Sequence, residues 1–368
     1  MELMRDKCCY SLLVSIFAFF SCISNNEKEA RQGISIPLQN LTADTIFLSD
    51  WMTPDEVIPL ETTDESLLAS VDKLIEFDNR YFVLDKVRKT VLVFDNEGKF
   101  VKRIGKIGDA PNEYLNLHDF TLDRNVGCIY LLTNNSEVYV YDVNGSFLRK
   151  AQISNSLLWS IECYGGNIYC SSNHLTYTSG DNAFLFYTFN STLQELNKQV
   201  NVHTEQIYTP LLISLPFQIW NENLYYIDNY FNMIYGFQNN DAVPVYSVSF
   251  ESPMPTDYFQ DVNLFMQNQS EYDFIIESFF TEDYLVIAYI HKGEHYTSVI
   301  SLSENRIIAN GRTKGILPKV FVNKGLLLSP ISAEVYLSYL THLDKYMDKS
   351  ISYEDNHLIL KWKFTQQN

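Results

Sequence analysis

Apolar and polar positions alternate along most of this chain in short runs, and the runs are broken by turns rich in Asn, Asp and Gly. Alternation with period two marks strands with one buried face, and turn clusters of this kind mark the hairpins between them. One stretch recurs. Val91-Leu92-Val93-Phe94-Asp95-Asn96-Glu97-Gly98-Lys99-Phe100 is matched 47 residues later by Val138-Tyr139-Val140-Tyr141-Asp142-Val143-Asn144-Gly145-Ser146-Phe147. Each copy reads as strand, Asp-x-x-Gly turn, strand, and a fixed period of this size predicts a repeat architecture.

The first repeat runs through Val71 to Ile75, Tyr81 to Asp85, Val91 to Asp95 and Lys99 to Ile104. The second runs through Asp119 to Asp123, Cys128 to Leu132, Val138 to Asp142 and Ser146 to Ile153. A four-stranded meander of this kind describes one propeller blade. The rhythm continues with second strands near Phe82, Ile129, Ile168, Leu224, Tyr284 and Leu326, at gaps of 47, 39, 56, 60 and 42 residues. The expected fold is all-β: a six-bladed β-propeller of four-stranded antiparallel blades. The sixth blade is completed, and the ring closed, by the N-terminal strand Val57 to Leu60 and the C-terminal strand His357 to Phe364, since an unfinished sheet leaves open edges. Two segments depart from the strand pattern, and both predict helices inserted on one face: Asp257 to Glu271, and Ala333 to Lys349 with its stripe of Val335, Leu337, Leu340, Leu343 and Met347.

The N-terminus reads as an address. Arg5 and Lys7 precede an apolar run from Tyr10 to Phe20, too short to span a bilayer but suited to a secretory signal. The run ends in Phe20-Ser21-Cys22, which resembles the lipobox of bacterial lipoproteins. The expected organisation is a signal peptide at 1–21, a lipidated Cys22 with a tether at 22–52, and the propeller at 53–368. Acyl chains on Cys22 would anchor the protein at the bacterial outer membrane, on its periplasmic or its surface side.

Composition narrows the rest. The chain is 46% hydrophobic and 14% aromatic, which excludes a disordered protein and favours strands. The formal net charge is −18, and losing residues 1–21 removes two charges of each sign, so it stays −18. That field repels phosphate backbones, so no nucleic acid is expected as a partner. Cys128, Cys163 and Cys170 remain outside the signal and Cys22. A hairpin around Gly165-Gly166 would oppose Cys163 to Ile168 and Ile161 to Cys170, which predicts free thiols rather than a disulfide.

The chain resembles the six-bladed β-propeller lipoproteins of Bacteroides-type bacteria, relatives of the NHL-repeat propellers. The resemblance rests on the turns at Asp95 to Phe100 and Asp142 to Phe147, on the Gly-rich stretch Arg103 to Tyr114, and on the two terminal strands. The family usually has Gly where Asn112 stands. Strong similarity covers roughly residues 55–150, and what it implies is a fold and an envelope location.

No catalytic motif survives its context. His291-Lys292-Gly293-Glu294-His295 matches a zinc-protease string, but that chemistry needs a helix and the string sits between two β-rich runs. Gly105-x-x-Gly108 has no Lys-Ser/Thr after it and is a turn, not a phosphate loop. No catalytic residue, metal ligand or cofactor is therefore expected. The candidate ligand-binding loops are the polar-aromatic ones: His118 and Asp119, His174 and Tyr177, His203 and Tyr208. The leading functional expectation is non-enzymatic recognition of a protein or glycan through propeller-face loops. The alternatives are a lyase or hydrolase at the central channel, which needs convergent His and carboxylate groups, with Asp72, Glu76, Asp119, Asp123 and Glu162 the nearest, or the assistance of a channel metal, and a purely structural envelope subunit.

Overall fold

The computed structural model describes residues 34–38, 45–47, 50–175, 183–202, 216–315, 319–323, 325–341 and 351–364. Cys22 and the signal and tether expected before residue 34 lie outside these residues, as do Tyr177, His203 and Tyr208.

Three strands lead the chain: β1 (Ile34–Pro37), β2 (Thr45–Phe47) and β3 (Met52–Pro59). The first four-stranded meander follows, with β4 (Lys73–Phe77), β5 (Arg80–Asp85), β6 (Thr90–Asp95) and β7 (Phe100–Ile104). The second is β8 (Asp119–Asp123), β9 (Cys128–Leu132), β10 (Glu137–Asp142) and β11 (Phe147–Gln152). The third is β12 (Ser160–Tyr164), β13 (Asn167–Ser171), β14 (Ala183–Asn190) and β15 (Glu195–Val202). Two further meanders are β16 (Phe217–Trp220), β17 (Asn223–Asp228), β18 (Met233–Gln238), β19 (Asp241–Ser249), and β20 (Phe274–Phe280), β21 (Tyr284–His291), β22 (Glu294–Ser301), β23 (Arg306–Lys314). The chain ends with β24 (Phe321–Asn323), β25 (Leu326–Ile331) and β26 (Leu358–Phe364).

The pairing of these strands corrects the expected closed, NHL-like six-bladed propeller. Hydrogen bonding produces five open sheets, not six separate blades of four. One sheet has nine strands in the order β1-β19-β18-β17-β16-β24-β25-β26-β3, and a second has five in the order β2-β23-β22-β21-β20. The nine-stranded sheet arises because β16 and β24 join in parallel at one pair, Ile219 with Asn323. β26 and β3 do meet in it, antiparallel from Leu358–Pro59 to Phe364–Met52, but among the described residues no sheet closes on itself. β1 and β2 add in parallel to the outer edges of β19 and β23. These additions make the sheets mixed.

Period-two patterning explains how the sheets stack. On β10, Tyr139 and Tyr141 face one apolar cluster with Phe82, Val93 and Phe120, while Val138 and Val140 face another with Ile161, Ile168 and Phe189. The central strands are buried on both faces, so β5, β6 and β9 read as nearly continuous apolar runs. The recurring turn is held by an Asx bond: Asp95 Oδ1 accepts from the N–H of Glu97 and of Lys99, both at 2.9 Å, and Gly98 takes φ 81°. The first expected helix is shorter than its segment. A 3₁₀ turn (Thr256–Gln260) leads into α1 (Val262–Asn268), whose N-terminus is capped by Asp261, its Oδ1 accepting from Asn263 N–H at 2.7 Å. The second is one helical turn at Ala333–Val335 followed by a wider turn at Tyr336–Leu340; residues 342–350 lie outside the described residues.

Candidate ligand cleft

A cleft of about 830 Å³ opens where the first hairpins of five meanders converge, within the size range of small-molecule sites of roughly 300–1,000 Å³. Its walls are turns. Asp123, Arg124 and Asn125 link β8 to β9, Gly165 and Gly166 link β12 to β13, and Asn221 and Glu222 link β16 to β17. Glu282 and Gly325 come from the next two hairpins. Such tight reversals need positive φ: Gly165 and Gly166 stand at 60° and 80°, Asn221 and Glu222 at 45° and 57°.

Side chains fix the floor. The Arg124 guanidinium donates from Nη1 to the Glu76 carbonyl at 2.8 Å and from Nη2 to Asn323 Oδ1, while Asn323 Nδ2 donates to that same carbonyl at 2.8 Å. Arg124 also lies 5.7 Å from the Phe77 ring centre. Burial lowers its pKa, an effect opposed by Glu162 and Glu76. Trp220 stacks on Phe280 at 5.0 Å and 16°, and the Tyr164 hydroxyl donates to the Glu222 carbonyl, tying two turns together. Asp123 is committed to its own turn, accepting from Asn125 N–H at 2.9 Å. Glu222 and Glu282 are exposed at the mouth. The cleft thus sets three carboxylates against one guanidinium that is already bonded.

A smaller cavity of about 40 Å³, lined by Arg124 and Ile219, reaches Lys73, Glu162 and Gln218. Here Lys73 Nζ sits 3.3 Å from Asp119 and 3.2 Å from Glu162, and donates to the Ile161 carbonyl at 2.9 Å. Burial pushes the Lys73 pKa down, but the two carboxylates more than offset it and the net shift is upward. Asp119 Oδ2 accepts from Ile161 N–H at 2.8 Å, and Glu162 Oε1 accepts from Thr121 Oγ1 at 2.7 Å. Higher up, Glu277 has its pKa raised to about 7 by burial, which Lys319 only partly opposes, and burial likewise lowers the Lys319 pKa.

The described candidates from the sequence lie elsewhere. Asp119 belongs to the buried ion cluster. His118 packs its ring 4.3 Å from Trp159, and burial, helped by Lys86, lowers its pKa to about 4. His174 is buried, with Nε2 2.8 Å from Asp228. None of the three lines the cleft. Of the channel carboxylates, Glu162 reaches the small cavity and Asp123 the cleft. The string His291 to His295 forms the β21–β22 hairpin, with Nδ1 of His291 2.8 Å from Asp273. No group of three or more potential metal ligands occurs among the described residues. Arg124 and Asn323 have no signal of residue type in the sequence; their signal is position, since each sits at the turn end of the first strand of its meander.

No curated protein matches the chain. Among solved structures, a protein from Bacteroides fragilis described as exported matches with a TM-score of 0.72 and 22% identity, covering 90% of this chain and 100% of that one. A member of the DUF4221 family from Bacteroides vulgatus matches with a TM-score of 0.56 and 10% identity, covering 87% and 100%. These likenesses show the fold. They replace the expected NHL-type propeller lipoprotein, and with it go both recognition through propeller-face loops and an enzyme at a propeller channel. The model of the "Domain of unknown function (DUF4934)" spans residues 33–363, and the chain belongs to that family.

Proposed function

We propose that this is an exported protein, anchored through lipid on Cys22, that binds a small organic cation in the cleft of hairpin turns. The observation that carries the binding reading is the cleft itself: about 830 Å³, with Trp220 on its wall and Asp123, Glu222 and Glu282 outweighing Arg124. An aromatic wall attracts a cation through its π face, and carboxylates around a low-dielectric hollow add to that attraction. The −18 charge of the chain steers cations in the same direction. Export is supported by the basic pair Arg5 and Lys7, the apolar run to Phe20 and Cys22, and by the relative from Bacteroides fragilis described as exported.

Calorimetric titration with phenethylamine and with phenylpropionate, matched in ring and size, tests the cleft. The amine is expected to bind at least tenfold more tightly, and E222Q/E282Q, two exposed changes, to remove that preference. Equal binding of the two, or tighter binding of the carboxylate, would overturn the reading. For the anchor, cells expressing the full chain take up a radiolabelled fatty acid into it, and Cys22→Ala abolishes the label; label that persists in the variant would refute lipidation at Cys22.

A further inference from the structure

The outer strand of each of the first five meanders carries a β-bulge at the same place, and the residue squeezed out is always aliphatic. Between β6 and β7, Phe94 pairs with Phe100 and Val93 with Lys102, leaving Val101 as the extra residue. Leu148 and Leu196 are the extra residues on β11 and β15, as are Val245 on β19 and Ile308 on β23. The five then divide. Val245 packs against the cluster holding Ile36 and Leu38, and Ile308 against the cluster holding Ile46, because β1 and β2 have added to those edges. Val101, Leu148 and Leu196 are 42%, 48% and 49% exposed, on edges with no added strand among the described residues.

Charge next to the bulge divides the same way. On the uncovered edges the bulge is followed by Lys102 and Arg103, by Arg149 and Lys150, and after Asn197 by Lys198. On the covered edges it is followed by Tyr246-Ser247 and Ala309-Asn310, without charge, although further along β23 the strand β2 lies beside Arg312 and Lys314. Basic residues and a bulge on an edge strand discourage indiscriminate pairing. The same arrangement admits a strand of opposite charge, because edge addition draws affinity from the backbone and specificity from alternate side chains.

We propose that the outer edges of β7, β11 and β15 are docking sites for an extended acidic segment of a partner protein. It adds as β1 and β2 do, laying an apolar residue over Val101, Leu148 or Leu196 and carboxylates against the basic residues that follow. The placement of β1 and β2 shows that this fold accepts a strand there. β1 and β2 are uncharged along their paired residues, whereas the partner is acidic because Lys or Arg follows each uncovered bulge.

The test uses the full chain and a fluorescein-labelled peptide of alternating Val and Glu, with a Val-Lys peptide as control. The acidic peptide is expected to bind, to weaken as salt rises, and to slow amide hydrogen exchange along β7, β11 or β15. R149E/K150E together with K102E/R103E and K198E, which alters all three edges, should weaken binding at least tenfold, with the urea midpoint unchanged. Ser247→Glu on the covered edge of β19 should leave it as it is. Equal binding of the Val-Lys peptide, or binding with no exchange protection on these strands, would overturn the proposal. So would retention of the chain by anionic vesicles without peptide binding, which would make the partner a lipid surface, or self-association lost in the same variants without peptide binding, which would make it a second copy.

Discussion

Gly98 is the position where the turn that repeats along the chain meets the end of β3. Its φ is 81°, and a methyl group built on it would lie 2.2 Å from the Pro59 carbonyl oxygen and 3.1 Å from its carbon, both backbone atoms. Gly145 occupies the equivalent place in the next turn at φ 82°, but there the nearest atom is the flexible Ile104 Cδ1, at 3.2 Å. Gly165 has φ 60° and nothing within 4 Å. Substitution by Ala costs all three the left-handed strain of an L-residue, about 1–2 kcal/mol. At Gly98 it must also push β3 away. That breaks the bond from Glu61 N–H to the Gly98 carbonyl at 2.8 Å and loosens the one from Phe100 N–H to Glu61 Oε2 at 2.8 Å, each worth about 1 kcal/mol. Gly98→Ala is therefore expected to destabilise by about 3–4 kcal/mol, and Gly145→Ala and Gly165→Ala by about 1–2 kcal/mol. Urea denaturation followed by tryptophan fluorescence measures all three on one scale. Equal costs at the three sites would refute the claim that the turn is braced against β3.

The same denaturation assay reads the buried charges. Lys73→Met leaves Asp119 and Glu162 facing each other without their cation, and should cost about 3–5 kcal/mol; a change under about 1 kcal/mol would mean the cluster is solvated. Because the folded pKa of Lys73 is raised, its contribution is fully present below the unfolded value of 10.5 and is lost as pH rises through the folded one, so the penalty should be constant across neutral pH. Glu277 has a raised folded pKa of about 7, so ionising it opposes folding: Glu277→Gln should stabilise the protein at pH 8 and have no effect at pH 4, and a stabilisation that does not depend on pH would refute the assignment. Burial raises the pKa of Cys163 and Cys170, so both should resist a thiol reagent until urea unfolds the chain; rapid labelling of either in the native protein would contradict their placement.

The first two meanders were legible because their turns use the residues such turns favour, Asp at the start and Gly at positive φ. The third makes the same turn with poorer letters. Asn190 Oδ1 accepts from Thr192 N–H at 3.0 Å and Gln194 N–H at 2.9 Å, and Leu193 takes φ 68° where the earlier copies have Gly. Packing holds Leu193 there, since it is buried in the cluster with Ile161 and Phe189, so the motif disappears from the sequence while the geometry stays. The opposition of Cys163 to Ile168 and of Ile161 to Cys170 was legible for the complementary reason: a two-residue turn at Gly165-Gly166 sets the register alone. The nine-stranded sheet could not be read, because β16 and β24 pair in register at one position, between residues about a hundred apart in the chain, and no local pattern encodes that pairing.

The cleft is built from residues that carry no distinctive chemistry in the sequence. His174 stands out in the sequence, yet its imidazole is buried against Asp228, and Asp119 is consumed by Lys73. A buried polar residue must find a partner inside the protein, so the residues most conspicuous by type are often those whose bonding is already complete. Turn residues are under no such demand. Gly165, Asn221, Glu222 and Glu282 are unremarkable one by one and lie far apart in the chain, but each follows the first strand of its meander, and stacking the sheets brings that position to one place. In a repeated meander, then, a site is better sought by aligning equivalent turns across the copies than by scanning for reactive side chains. Applied to the outer strands, that alignment isolates Val101, Leu148 and Leu196, the three bulge residues that the first strands of the chain leave uncovered.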